Sequence, residues 1–267
     1  MRRSPGFTLV ELAVVLLIVG LLLLSLLYTL SAQTDQRDFE ETRRRLEQAR
    51  ELVLAFAIMN GRLPCPARST SAGAEVRNAA GECKDAANVE DYYGGSLAGG
   101  VTAGLLPAAT IGMQVTDAAG FAIDAWQNRI RYAVAKSVAN CSGAFTNPHW
   151  VNAANMKANG ITCQPSDLLV CKSATGITPM ACGGAANQIM SQNLVVAIVF
   201  STGKNGATGA AGADEAANLN GAGNADPIFV FHTPTPAGAA NGVFDDQFVW
   251  ITAGEFYGKL VAAGVLP

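Results

Sequence analysis

The sequence predicts an α+β protein in which one long N-terminal helix, hydrophobic at first and amphipathic later, packs on a small antiparallel sheet carrying a disulfide-containing insertion. Three observations predict it. No proline interrupts residues 7–63, residues 12–24 are aliphatic apart from Gly20, and β-branched runs of strand length begin only after residue 129. A helix first and strands afterwards is the α+β order.

The helix comes first. Residues 7–30 at ~1.5 Å per residue span roughly 36 Å, enough to cross a bilayer. Beyond them Phe39, Leu46, Ala49, Val53 and Phe56 recur at gaps of three, four and seven, which is an amphipathic helix with one buried stripe. The two parts read as a single helix over 7–59, on the order of 80 Å long. Asn60-Gly61 ends it, and Pro64 and Pro66 forbid its resumption. Gly20 is its one weak spot. The chain thus divides into a basic leader over 1–6, a membrane helix over 7–30, an amphipathic helix over 31–60 and a globular α+β domain over 61–267.

The remaining elements follow in order. Residues 91–120 are Gly-rich and read as loop, with a short helix around 100–106. Ile130, Tyr132 and Val134 alternate after the turn-forming Gln127-Asn128, a strand with one buried face. Residues 141–182 look like an insertion held by disulfides, with a helix at 150–157 and a strand at 168–172. The apolar run 194–200 is long enough only for a strand, buried on both sides at the sheet centre. Residues 201–227 are Gly- and Ala-rich and predict no regular element; 228–231 and 248–251 are two more strands. Thr252 and Glu255 match a capping box that opens a last helix over 256–263.

Composition narrows the function. The net charge of −3 gives no support to a general nucleic-acid binder, and no nucleic-acid partner is expected. Arg43-Arg44-Arg45 sits among alternating acids and bases, which is the pattern of a solvated helix face. Arg2 and Arg3 before the apolar run keep the N-terminus cytoplasmic and send the C-terminal domain to the periplasm. Six cysteines, Cys65, Cys83, Cys141, Cys163, Cys171 and Cys182, agree with that oxidising compartment. They contain no C-x-x-C pair and the chain has two histidines, which speaks against zinc. Cys65 and Cys83, if paired, close a loop worth ~3 kcal/mol in the chain-entropy model; the other four admit three pairings. His149 and His232 belong to no serine or cysteine catalytic motif, and the Gly203-Lys204 pair lacks the spacing of a P-loop. No constellation supports an enzyme.

Glu11 is the residue that demands a function. An ionised carboxylate near a bilayer core costs about 2.5–3.5 kcal/mol on insertion scales, so it needs a cation. Cleavage after Gly6 would supply one, because the new Phe7 amine lies one helical turn from Glu11, within one chain or between neighbours. Gly6-Phe7-Thr8-Leu9-Val10-Glu11, with a short basic leader before it and an apolar helix after it, resembles the processing site of bacterial type IV pilins and type II secretion pseudopilins.

That resemblance implies a pilin-like fold and a non-enzymatic filament subunit, a pseudopilin or minor pilin. It implies cleavage by prepilin peptidase after Gly6, N-methylation of Phe7 and assembly through Glu11 with other subunits, in a homo- or hetero-filament, on an inner-membrane assembly platform. The protein would wait as a single-pass inner-membrane protein and then enter a pilus or pseudopilus. Residues 54–64 are similar to the helix exit of major pseudopilins, and Asp124-Ala-Trp126-Gln-Asn128-Arg-Ile-Arg-Tyr132 resembles their Asp-x-Trp-Gly-x-x-Tyr turn, with Asn128 near the glycine's place. In major pseudopilins the loop corresponding to 201–227 binds calcium, which makes Asn205, Asp214, Glu215 and Asp226 the candidate ligands here; a metal-free surface loop is the other reading. The alternative role is a low-copy pilus-tip adhesin, or a ligand- or DNA-binding minor pilin, acting through the insertion 141–182.

Overall fold

The computed structural model describes residues 8–141, 148–208, 212–219 and 226–266; for residues 23–32 and Thr208 it describes the backbone alone. The chain forms two compact units, Met1–Glu41 and Thr42–Pro267. One helix, α1 (Leu9–Asn60), supplies the first unit and opens the second.

Within the second unit, α1 buries Thr42, Leu46, Ala49, Val53, Phe56 and Ala57, a stripe at three- and four-residue steps. Each large apolar side chain so buried contributes about 1.5–3 kcal/mol, which fixes this half of the helix to the domain. Arg45 adds a polar tie, donating from Nη1 to the carbonyls of Ile123 at 3.1 Å and Asp124 at 2.7 Å. The helix stops where Gly61 takes φ 66° and its amide returns to the Ala57 carbonyl at 2.8 Å.

The chain then passes β1 (Gly95–Leu97), β2 (Val101–Ala103), α2 (Ala108–Ile111), β3 (Arg131–Val134), β4 (Val138–Ala139), α3 (Ala153–Asn159), β5 (Gln164–Pro165) and β6 (Leu169–Cys171). After these come β7 (Gln188–Met190), β8 (Val195–Ser201), α4 (Ala213–Asn218), β9 (Ile228–Val230), β10 (Gln247–Thr252) and α5 (Ala253–Ala262). The main sheet is antiparallel in the order β10-β8-β3. All seven residues of β8 are buried, as its unbroken apolar run predicts for a central strand. On β10, Val249 and Ile251 are buried while Phe248 and Trp250 stay half-exposed.

Several expectations need correction. Residues 101–106 are not helical: a 3-10 turn over Ala98–Gly100, in which Gly99 and Gly100 take positive φ, 77° and 74°, turns β1 back onto β2 as a hairpin. The short helix comes later, after Pro107. Ala133 is buried beside Tyr132 and Val134, so β3 is covered on both faces rather than one. The helix expected at 150 begins at Ala153, because Asn152 caps it by accepting from the Ala154 and Asn155 amides and Trp150 is consumed by the core.

Residues 201–227 do contain a regular element. Alanine's helix propensity and the acids Asp214 and Glu215 in the first turn suffice for α4. Strand β9 pairs in parallel with β6, in the sheet β7-β6-β9. Its outer edge is closed by one side chain: Asn218 Oδ1 accepts from the Val230 amide at 2.7 Å and Asn218 Nδ2 donates to the Val230 carbonyl at 2.9 Å. At α5, Thr252 accepts from the Glu255 amide at 3.3 Å, but the Glu255 carboxylate pairs with Arg50 instead of completing the box. The disulfides are Cys65–Cys83, Cys141–Cys163 and Cys171–Cys182.

Candidate functional sites

Gly6 and Phe7, the expected cleavage and methylation positions, lie outside the described residues. Glu11 lies within them, on the first turn of α1. Its Oε2 accepts from the Thr8 amide at 2.9 Å and from Thr8 Oγ1 at 2.8 Å, while the Glu11 amide donates to Thr8 Oγ1 at 3.3 Å. Thr8-Leu9-Val10-Glu11 is therefore a reciprocal capping box, a signal legible in the T-x-x-E spacing. Around it Leu9, Val10, Leu12 and Leu16 are exposed. Among the described residues no helix is long and apolar enough to cross a membrane. The side chains of residues 23–32, which continue the apolar run, lie outside the described set.

A second site forms where α4 meets the turn before β10. Glu215, Asp245 and Asp246 present oxygens within 4.8 Å of one another. Of the four residues singled out in the sequence, Glu215 alone supplies a carboxylate there. Asn205 touches the cluster, its Nδ2 donating to both Glu215 oxygens at 2.9 Å. Asp214 turns the other way, toward the Ala174 amide, Asn241 Nδ2 and His232 Nε2. Asp226 accepts from the Ile228 amide at 3.0 Å. Asp245 and Asp246 were missed by sequence reasoning; a paired acid just before strand 248–251 was the available signal.

The electrostatics of the cluster are costly. Burial pushes Asp246 up to about 8 against the hydrogen bond from Asn218, with Glu215 and Asp245 adding repulsion. Burial and the charge of Glu215 push Asp245 up to about 6. Asp245 Oδ1 is buried with no hydrogen-bond partner. Three carboxylates with an orphaned oxygen among all-oxygen donors fit a hard cation such as calcium.

The turn 124–132 braces this region. Asp124 Oδ2 accepts from Ser201 Oγ at 2.6 Å, Ser201 Oγ accepts from the Gly203 amide at 3.1 Å, and Asn128 Nδ2 donates to the Gly203 carbonyl at 2.6 Å. Gly203 takes φ 64°, and a Cβ there would lie 1.8 Å from Asp245 Oδ1, so glycine lets the acid approach. The left-handed position of the turn is Gln127, φ 71°, and not Asn128, which serves as a hydrogen-bond bridge.

Among the described residues neither histidine is hydrogen-bonded to a serine or cysteine side chain. His149 is fully buried beside Trp150, its Nε2 3.3 Å from Tyr257 Oη, and burial lowers it to about 4, where it stays neutral. His232 stacks on Phe244 at 3.9 Å and faces Asp214.

A family model described as the prokaryotic N-terminal methylation motif matches residues 1–27, the segment that holds Gly6, Phe7 and Glu11. The chain therefore carries the signature of type IV pilins and pseudopilins, and its helix on small, mainly antiparallel sheets, with disulfides, is a mixed α+β arrangement consistent with a pilin-like fold. The motif implies processing by prepilin peptidase and assembly with other pilin subunits. No curated protein and no solved structure matches the chain.

Proposed function

We propose that the chain is a non-enzymatic structural subunit, a pseudopilin or minor pilin, of a type IV pilus or type II secretion filament. The observation that carries this reading is the methylation-motif match over residues 1–27 with Glu11 at its centre. Prepilin peptidase cuts after Gly6 and Phe7 is N-methylated. Residues 7–30 then hold the subunit in the inner membrane, with the N-terminus cytoplasmic and the C-terminal domain periplasmic. On assembly the Phe7 amine of an incoming subunit neutralises Glu11 of its neighbour, and in a low dielectric that attraction far exceeds its value in water. The test is recovery of a sheared filament fraction. Glu11→Val is expected to insert and be processed yet drop out of that fraction, and equal recovery of mutant and wild type would overturn the reading.

Calcium is part of the same proposal. Glu215, Asp245 and Asp246 would hold it, with the ion offsetting the repulsion among them. Asn205 sits against Glu215, its Nδ2 donating to both carboxylate oxygens.

One observation favours the tip role as a second reading. A cavity of about 700 Å³ opens on the insertion, between the Cys171–Cys182 loop and β7, lined by Thr178, Met180, Gln188 and Gln192 among others and by no ionisable side chain. Such a lining suits an uncharged ligand and not DNA. Copy number decides: abundance along the filament favours the structural role, and a few copies at its end favour the tip.

A further inference from the structure

The cavity of about 700 Å³ on the insertion has one wall that is fixed before any ligand arrives. The Cys171–Cys182 disulfide closes that wall's loop, and Asn187 Nδ2 clamps its two ends, donating to the Ser173 carbonyl at 3.0 Å and the Cys182 carbonyl at 2.8 Å. Inside the loop the Thr178 amide donates to the Ala181 carbonyl at 2.9 Å, and the Ala181 amide returns to the Thr178 carbonyl at 3.1 Å. Gly183 takes φ 77°, and a Cβ there would lie 2.4 Å from the Gly176 carbonyl oxygen, so the backbone closes on itself in contact. A wall held in this way loses little conformational freedom when a ligand binds.

The other side of the cavity is polar and uncommitted. Gln188, Ser191, Gln192 and Asn193 line it, and among the described residues none of these four side chains has a hydrogen-bond partner. Each carboxamide presents a donor and an acceptor side by side, and the hydroxyl serves as either. The apolar part of the lining is small: Leu169 and Cys182, each 4% exposed, and Met180, 78% exposed.

This lining discriminates between ligand classes. An ion would find no opposite charge, and a lipid chain would leave the carboxamides without partners. A bound peptide strand uses main-chain bonds along a strand edge and pockets for alternate side chains, whereas the free groups here are side chains gathered within residues 188–193. A ring of adjacent hydroxyls, each both donor and acceptor, with C–H faces for Leu169 and Met180, satisfies both parts of the lining. The volume also falls in the range of about 300–1,000 Å³ typical of small-ligand sites.

We infer that the insertion cavity is a binding site for an uncharged saccharide of one or two rings, with Gln188, Gln192 and Asn193 bonding its hydroxyls and Met180 against a ring face. The inference rests on the second reading of function above, in which the insertion takes a ligand, and names that ligand's class.

Saturation-transfer NMR and titration calorimetry on the full-length chain test it, in a zwitterionic detergent because sugar-headed detergents would compete. The probes are maltose, lactose, mannobiose and diacetylchitobiose. Sialyllactose is the charged comparison, and an acetylated, amidated hexapeptide of alternating threonine and glycine is the peptide comparison. At least one neutral disaccharide is expected to bind, with sialyllactose at least tenfold weaker and the peptide not binding. Gln188→Ala combined with Gln192→Ala is expected to lower the affinity at least tenfold at an unchanged melting temperature. Met180→Glu, at an exposed position, is expected to lower it at least threefold. Binding of none of the four disaccharides, undiminished binding in both variants, or a preference for sialyllactose or the peptide overturns the inference. Copy number is read separately. A few copies at the filament end without saccharide binding remove this inference and leave the tip role, whereas saccharide binding by subunits abundant along the filament leaves the site and removes the tip role.

Discussion

Thr8 holds the Glu11 carboxylate from two atoms, its amide at 2.9 Å and its hydroxyl at 2.8 Å, on the same oxygen. The acid is therefore oriented by its own helix start before any neighbour arrives, and an incoming amine meets a positioned acceptor. Thr8→Val keeps the amide bond and removes the hydroxyl. It is expected to cost about 1 kcal/mol of local helix stability and to reduce filament recovery less than Glu11→Val does. Equal defects in the two variants would show that capping, and not charge pairing, is what Glu11 supplies.

Gly6→Leu is expected to accumulate as uncut precursor, six residues heavier than the mature form in a denaturing mass spectrum. Normal processing of this variant would remove the site assignment.

The carboxylate cluster sets a pH dependence whose sign follows from its raised values. Folded Asp246 titrates near 8 and Asp245 near 6, both pushed up first by burial, while the unfolded chain releases these protons near 4. Between those limits the folded state binds more protons, so metal-free protein loses stability as pH rises from about 4 to 8. Millimolar calcium is expected to raise the melting temperature at pH 7.5 by several degrees, to do little at pH 5, and to do nothing in Asp245→Asn with Glu215→Gln. A flat stability profile over that range, with no calcium response, would count against a cation at this site.

Gln127 occupies a left-handed position at φ 71° without being a glycine. Gln127→Gly is expected to stabilise the domain by about 1 kcal/mol, a rise of roughly 2–4 °C for a unit of this size, whereas Gln127→Val lowers it. Thermal unfolding of the purified domain region in the full chain reads both.

Replacing Cys65 and Cys83 together by serine opens a loop of sequence separation 18, and the chain-entropy model sets the loss at about 3 kcal/mol. A shift in denaturant midpoint of under a third of that amount would place the stability of this loop elsewhere, with Arg62 and Glu75.

Local signals explain what could be read in advance. The strand within 194–200 was legible because a mostly β-branched apolar run of that length suits a doubly covered strand, although Leu194 stays outside β8 and exposed, and the stripe through Leu46, Ala49 and Val53 because helical period is local. Pairing was not legible. Strand β9 lies beside β6 through contacts nearly sixty residues apart, and nothing in Ile228-Phe229-Val230 announces a parallel partner. The hairpin at 95–103 was hidden because Gly99 and Gly100 look alike whether they loosen a loop or close a tight turn. At the acid cluster, Glu215 was named through the resemblance of loop 201–227 to the calcium loop of major pseudopilins, while Asp245 and Asp246 arrive from a turn that only the tertiary fold brings beside α4.

The central claim is that proteolysis after Gly6 creates the amine that Glu11 is held ready to receive. Intact-mass and terminal-fragment spectrometry of protein purified from assembling cells tests it most directly. A chain beginning at Phe7 and carrying one methyl group on its amine is the result this account requires; a chain beginning at Met1, or anywhere but Phe7, contradicts it.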